Sequence, residues 1–201
     1  FPIFIFTSII CLATQGRQVL FKQKRIGYNF CSFNILKFRS MKDKPGHLVT
    51  LSDDKRITYF GKFIRKTKID EIPQLFNILL GDMRFIGPRP EIPEYFDKNK
   101  FRFLKKIKPG ISDFCSILLR NEEDILLNIG GENPYQKILP FKIQLADYYS
   151  RNKSFLLDLN LVTITIISIF LPSYASNLFI IPKIKKNLPD SMPFIEKYVQ
   201  Y

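Results

Sequence analysis

The residues best equipped for chemistry stand together in "RKTKIDEIPQ", residues 65–74, where Asp70 and Glu71 follow Arg65, Lys66 and Lys68. An ionised Asp is a competent nucleophile, and a neighbouring Glu offers oxygen to a hard cation such as Mg2+. More cations flank the pair along the chain: Lys37 and Arg39 in "KFRSM" and Arg89 in "GPRP". Gathered around two carboxylates, they would suit a multiply charged phosphate, whose transfer is catalysed mainly by positioning and charge stabilisation. Adjacent acids at a helix start are also ordinary caps, and Lys and Arg an ordinary solvated face. Residue types and spacing leave both readings open.

Little else in the chain offers a rival chemistry. The three cysteines, Cys11, Cys31 and Cys115, are odd in number and far apart. They make no disulfide framework and read as small buried apolar residues in a reducing compartment. His47 is the single histidine, in the turn-like "KPGHLV", and reads as a solvated loop residue. Zinc sites and His-based triads need more His or Cys than this. Thirty-one Lys and Arg against eighteen Asp and Glu give a net charge of +13. Such a field attracts nucleic acid, anionic lipid or a phosphorylated substrate without choosing among them. A hydrophobic content of 46% over 201 residues excludes disorder and fits one domain.

The elements that must position the acidic pair follow from periodicity. "FPIFIFTSIICLA" is apolar but about half the ~20 residues needed to span a bilayer. It reads as a buried core helix or, favoured because Pro2 can break an upstream helix, as half of a membrane-dipping one. Residues 17–41 alternate at period two around Gly27 and Asn29, predicting a hairpin with Lys and Arg on one face. Residues 42–55, with Pro45-Gly46, read as a loop. From Ile57 to Leu80 the three-four spacing of Ile69, Ile72, Leu75, Phe76 and Leu79 predicts helix, stopped at Gly81. Thr67 and Asp70 resemble a capping box, and Pro73 draws the helix start toward Asp70. Either start puts Asp70 and Glu71 in or beside a first turn, where the dipole favours their ionised form. "FIGPRPEIP" is a stiff loop, and "KKIKPGI" ends in a turn. Residues 135–150 are helical, 155–171 form a buried or interfacial helix with a transmembrane span as the alternative, and the tail from Pro182 is peripheral.

Several motifs then occur together: "LFKQKRIGYN", "FNILKFRSM", "RITYFGKFIRKTKIDEIPQLFNILLGDMRFIGPRPE" and "IKPGIS". In this order they closely resemble the bacterial sugar transferase family, the small monotopic phosphoglycosyl transferases, from about Phe1 to Leu171. The resemblance implies an enzyme at the cytoplasmic face of the bacterial inner membrane. It would move a sugar-1-phosphate from a nucleotide sugar, usually a UDP-sugar, onto polyprenyl phosphate and release the nucleoside monophosphate. By the same matching Asp70 is the nucleophile that forms a covalent phosphosugar, and Glu71 is the Mg2+ ligand, with Asp70 as a second. Lys37, Arg39, Arg65 and Arg89 then contact substrate phosphate.

The implied fold is α+β and mainly helical: a small hairpin, interfacial helices and a re-entrant membrane helix of which residues 3–13 are the returning half. The expected division is 1–13 for that half, 14–171 for the catalytic domain and 172–201 for a tail. "FRFLKKIK", residues 101–108, would suit an anionic membrane surface through its aromatics and cations, or be a plain solvated helix. The stretch "ISDFCSILLRNEEDIL" with "ILPFK" departs from the Gly-Trp-Ala-Gln-Val-Asn-Gly-type run of many small members and resembles a second branch. Substrate preferences therefore do not carry over, and Glu122, Glu123 and Asp124 read as structural. An oligomer is compatible with this pattern. The competing reading is a non-catalytic basic module or scaffold at nucleic acid or membrane; no stacking-aromatic or zinc module supports nucleic acid.

Overall fold

A computed structural model describes residues 2–16, 18–42 and 49–199, so His47 and the Pro45-Gly46 turn lie outside the described residues. The fold is α+β. It opens with α1 (Pro2–Gln15), continues through the antiparallel hairpin β1 (Leu20–Ile26) and β2 (Ser32–Phe38), and reaches α2 (Tyr59–Lys66) and α3 (Gln74–Leu79). A short parallel pair follows, β3 (Arg84–Ile86) with β4 (Gly110–Ser112). The rest is helical: α4 (Phe114–Leu118), α5 (Glu122–Ile129), α6 (Pro134–Asn152), α7 (Phe155–Phe170), α8 (Pro172–Ala175), α9 (Ile181–Asn187) and α10 (Met192–Tyr198).

The hairpin turns on Asn29, whose φ of 51° is the left-handed conformation that Asn tolerates. Its register pairs Phe21 with Lys37 and Lys22 with Leu36, so strict alternation puts Lys37 on the face opposite Lys22 and Lys24. The cations of the hairpin are thus divided between faces instead of sharing one. Lys37 belongs to the side that meets the acidic pair.

Residues 57–80 are not one helix. Thr58, not Thr67, caps α2, accepting the Gly61 N–H at 2.9 Å. Thr67 closes that helix, its hydroxyl donating back to the Phe63 carbonyl at 2.9 Å, and Lys68 then turns left-handed at φ 60°. A single 3-10 turn, Ile69–Glu71, leads through Ile72 and Pro73 into α3. The apolar spacing survives because both pieces keep a buried side, but the axis is broken between them. Gly61 permits the close approach of α2 to the end of β2, since a Cβ there would sit 1.9 Å from the Ser40 carbonyl oxygen.

Two apolar clusters hold these parts. The smaller joins Cys11 of α1, Phe38 of β2 and Ile64 of α2, with Phe4, Ile69 and Ile72 packed against it. The larger includes Ile86, Phe114, Leu118, Leu126, Ile138, Leu145 and Leu161. Ile180, Ile184 and Ile195 are buried in it as well, so the segment after Pro172 completes the core instead of lying at the periphery. Likewise Phe101, Phe103, Leu104 and Ile107 turn inward, and only Arg102, Lys105 and Lys106 of "FRFLKKIK" are exposed. That stretch is a 3-10 turn anchored by its aromatics, neither a solvated helix nor an aromatic membrane anchor.

Two polar residues of α7 have partners elsewhere in the fold: Asp158 accepts the Tyr149 hydroxyl at 2.6 Å, and Thr165 and Ser112 share a hydrogen bond of 2.7 Å. Its other face is exposed and apolar, with Phe155 and Phe170 about four-fifths in solvent. No helix among the described residues is long and apolar enough to cross a membrane.

Candidate active site

Four elements converge on the acidic pair. The 3-10 turn presents Asp70 and Glu71, both buried, while β2 brings Lys37, α2 brings Arg65, and the loop after β3 brings Arg89. That loop is fixed by its glycines. A Cβ on Gly110 would lie 2.2 Å from the Gly87 nitrogen, so "GPRP" and "KPG" can lie in contact only without side chains there. Asp113, which caps α4 through the Ser116 N–H at 2.7 Å, also accepts the Arg89 backbone N–H at 3.4 Å.

The two acids have opposite environments. Glu71 is clamped: Lys37 Nζ donates to its Oε1 at 2.8 Å, and the Arg89 guanidinium donates to both oxygens. Burial opposes its ionisation most strongly, yet Arg89, Lys37 and Lys68 together hold its carboxyl well below the usual range. The same partnership raises Arg89 further, whereas Lys37 is pulled down by burial despite Glu71. Asp70 has no such clamp. Its Oδ1 is sealed from solvent with no hydrogen-bond partner. Burial raises its pKa and the negative charge on Glu71 raises it further, while Lys37, and to a lesser extent Lys68 and Arg65, offset this only in part. Ionisation of this pair is therefore governed by cations from distant segments rather than by a long helix dipole.

Arg65 reaches from α2 to Ser40 Oγ at 3.0 Å and to Glu123 Oε1 at 3.0 Å through Nε, with Nη2 on the same oxygen. The geometry thus brings together Asp70, Glu71, Lys37 and Arg89 in direct or near contact, with Arg65 beside them. Arg39 lies farther out. Its guanidinium donates to Gln18 and its carbonyl accepts the Cys11 thiol at 3.7 Å. These contacts place it at the end of the hairpin.

Sequence reading missed the residues that brace the site. Asn77 ties α3 to β2, accepting the Leu36 N–H at 3.0 Å and donating to the Asn34 carbonyl at 2.8 Å. Behind Arg89, Glu91 accepts the Tyr135 hydroxyl at 2.7 Å, and Lys142 donates to both Tyr135 and Glu122 at 2.9 Å. The only signal of these in the chain is polar residues at positions whose apolar neighbours mark a core-facing side.

Among the described residues no group of three or more acidic, His or Cys side chains could by itself hold a metal. A Mg2+ held by one or two carboxylates and substrate phosphates needs no such group. The adjacent, buried carboxylates of Asp70 and Glu71 offer hard oxygens of that kind.

Compared with known sequences, residues 1–172 match the bacterial sugar transferase family. The chain belongs to that family. It is 37% identical over 171 residues to an uncharacterized sugar transferase, EpsL, of Bacillus subtilis (strain 168), covering 82% of this chain and 76% of that one. It is 34% identical over 173 residues to the UDP-N-acetylgalactosamine-undecaprenyl-phosphate N-acetylgalactosaminephosphotransferase of Aeromonas hydrophila, covering 82% of this chain and 38% of that protein. Over 177 residues it is 29% identical to the UDP-glucose:undecaprenyl-phosphate glucose-1-phosphate transferase of Xanthomonas campestris pv. campestris, covering 84% and 35%. This sugar transferase chain thus spans about three quarters of the Bacillus relative and little more than a third of the other two. The match contains every element that carries the acidic pair and its cations, and it ends at Pro172, the first residue of the α8–α10 segment that closes the core.

Proposed function

We propose that this sugar transferase moves a sugar-1-phosphate from a UDP-sugar to undecaprenyl phosphate through an aspartyl-phosphosugar intermediate, the first step of a lipid-linked glycan. The observation that carries the reading is the unclamped, buried Asp70 beside a fully clamped Glu71, with Lys37, Arg65 and Arg89 around them. An Asp70 oxygen attacks the sugar-linked phosphorus, and the bond to the departing uridine monophosphate breaks. A phosphate oxygen of the lipid then attacks the same phosphorus, and the bonding electrons return to the Asp70 carboxylate. Repulsion between the anionic nucleophile and the diphosphate is the main obstacle, and Lys37, Arg65 and Arg89 offset it. Asp70 and Glu71 would hold Mg2+, which supplies further neutralisation of the diphosphate when bound.

Donor and acceptor come from the names of the Aeromonas and Xanthomonas relatives. The acceptor is a lipid, and exposed Ile3, Phe6, Leu79, Leu80, Phe155 and Phe170 offer apolar surface to a membrane, with the +13 chain drawn to an anionic leaflet. We place the protein at the cytoplasmic face of the bacterial inner membrane, where nucleotide sugars are available. Intact mass after exposure of the lipid-reconstituted protein to single UDP-sugars with Mg2+ tests the reading. A gain of one sugar phosphate, absent in Asp70→Asn, prevented by EDTA and discharged by undecaprenyl phosphate, is expected. Turnover without any adduct, or an adduct that survives Asp70→Asn, refutes the aspartyl route.

A further inference from the structure

Five side-chain atoms among the described residues are sealed from solvent without a hydrogen-bond partner, and three of them fall within five residues: Asp70 Oδ1 and both Gln74 Oε1 and Nε2. Gln74 is fully buried. Buried polar atoms in folded proteins are nearly always paired, so a carboxamide orphaned at both ends, one turn beyond an orphaned carboxylate oxygen, calls for a reason.

The backbone sets these groups near one another. Ile69–Glu71 form a 3-10 turn, Ile72 and Pro73 keep right-handed dihedrals, and α3 begins at Gln74. A helical path of four residues brings side chains i and i+4 to neighbouring positions. Asn77, three residues on, is hydrogen-bonded to the backbone of β2, and β2 also carries Lys37. Asp70, Gln74 and Asn77 are thus buried polar residues at helical spacing. Asn77 is satisfied by the strand, and Gln74 stands between it and Asp70 in the chain.

We infer that Gln74 is a positioning residue for the nucleophile: its carboxamide N–H, which makes no direct hydrogen bond to Asp70 here, holds Asp70 Oδ1 through one bridging water so that Oδ2 is the oxygen presented to phosphorus. Oδ2, unlike Oδ1, is not among the sealed atoms. In the first half-reaction the donor fixes the carboxylate plane, and Oδ2 forms the new bond as uridine monophosphate leaves with the electrons of the broken one. In the second, the Oδ2–phosphorus bond breaks toward the carboxylate, and the same N–H receives the charge returning to Oδ1. Misplacing a reacting group by about 1 Å costs about 100-fold in rate.

This rests on the aspartyl-phosphosugar reading, and the experiment separates the two. Adduct formation and discharge are timed by quenched intact mass for wild type, Gln74→Met and Gln74→Asn, with donor KM and thermal midpoint measured on the same samples. Gln74→Met keeps the volume and removes the carboxamide. It is expected to slow both half-reactions about 100-fold, with donor KM within about twofold and the midpoint unchanged or raised. Gln74→Asn keeps a carboxamide and is expected to be faster than Gln74→Met. If Met is not accommodated, Gln74→Leu removes the same group with less bulk and is read by the same quantities. Half-reactions within threefold of wild type in a folded apolar variant overturn the inference, as does a Gln74→Asn loss equal to that of the apolar variant. A wild type that turns over without an adduct refutes the aspartyl reading, and the inference with it.

Discussion

Two clusters of buried charge lie on either side of the Arg89 loop, and they differ in one respect. Behind it, Glu91, Tyr135, Lys142 and Glu122 form a chain in which each acid has a partner: Glu91 takes the Tyr135 hydroxyl and the Ile92 N–H, and Glu122 takes Lys142. Arg25 adds a bond to the Pro90 carbonyl at 3.0 Å, although its Nε is sealed without a partner, so this cluster pins the loop on which Arg89 sits. In front of it, Glu71 is satisfied in the same way, but Asp70 is sealed with an oxygen left over. Acids that are all paired hold geometry, whereas an unpaired carboxylate oxygen keeps a reactive group high in free energy for a substrate to complete. The difference marks the rear cluster as scaffold and the front one as the place of chemistry.

The comparison is broken most sharply at Asp70. Asp70→Asn is expected to abolish adduct formation, by about ten-thousandfold or more, while raising the thermal midpoint by roughly 2–4 °C per kcal/mol of buried-charge cost relieved. A variant both inactive and less stable would place Asp70 in the scaffold. Lys142→Met works in the other direction. It strands Glu122 and removes a partner of Tyr135, and should cost about 3–5 kcal/mol of stability by denaturant titration. Adduct formation per folded molecule should stay within about tenfold. Arg65→Ala should lower turnover by about 100- to 1000-fold, the loss expected from removing one charge-stabilising donor, with little change in unfolding midpoint. Tyr135→Phe removes a single hydroxyl from the rear network and should cost about 1–3 kcal/mol, with turnover almost unchanged.

The smallest effect lies in the pH dependence of stability, and its sign differs for the two acids. Glu71, held well below the usual range, contributes stability that is fully present above the ordinary Glu range and is lost as pH falls through its lowered folded value. Asp70 is raised, so its ionisation weakens the fold as pH climbs from the ordinary Asp value through the raised one. The midpoint advantage of Asp70→Asn over wild type should therefore grow with pH across that window, and the deficit of Glu71→Gln should shrink at low pH. Parallel curves for all three proteins would contradict the assigned environments.

Much of this molecule was legible in its sequence. The hairpin around Asn29, the helix at 135–150 and the apolar helix from 155 follow from periodicity and turn residues, and α6 and α7 lie where that spacing puts them. The motifs from "KFRSM" to "IKPGIS" carried the family, which the comparison with known sequences shows. Thr67 and Pro73 marked a helix start near Asp70, and α3 begins at Gln74, but the left-handed turn at Lys68 that separates it from α2 was not legible, because both halves keep the same apolar spacing. Nor was the inward turn of Phe101 and Phe103, since "FRFLKKIK" is equally amphipathic whichever way its aromatics point.

The sequence by itself determined the local parts: which segments coil, where glycine permits close approach at 61, 87 and 110, and which side chains carry charge. Tertiary structure alone decided how those charges are paired. Lys37 and Glu71 are 34 residues apart and Arg65 and Glu123 are 58, distances over which no periodicity speaks. Two adjacent carboxylates of the same chemistry thereby become unlike. Burial raises the proton affinity of both, and only the one reached by Lys37 and Arg89 has enough opposing charge to reverse it.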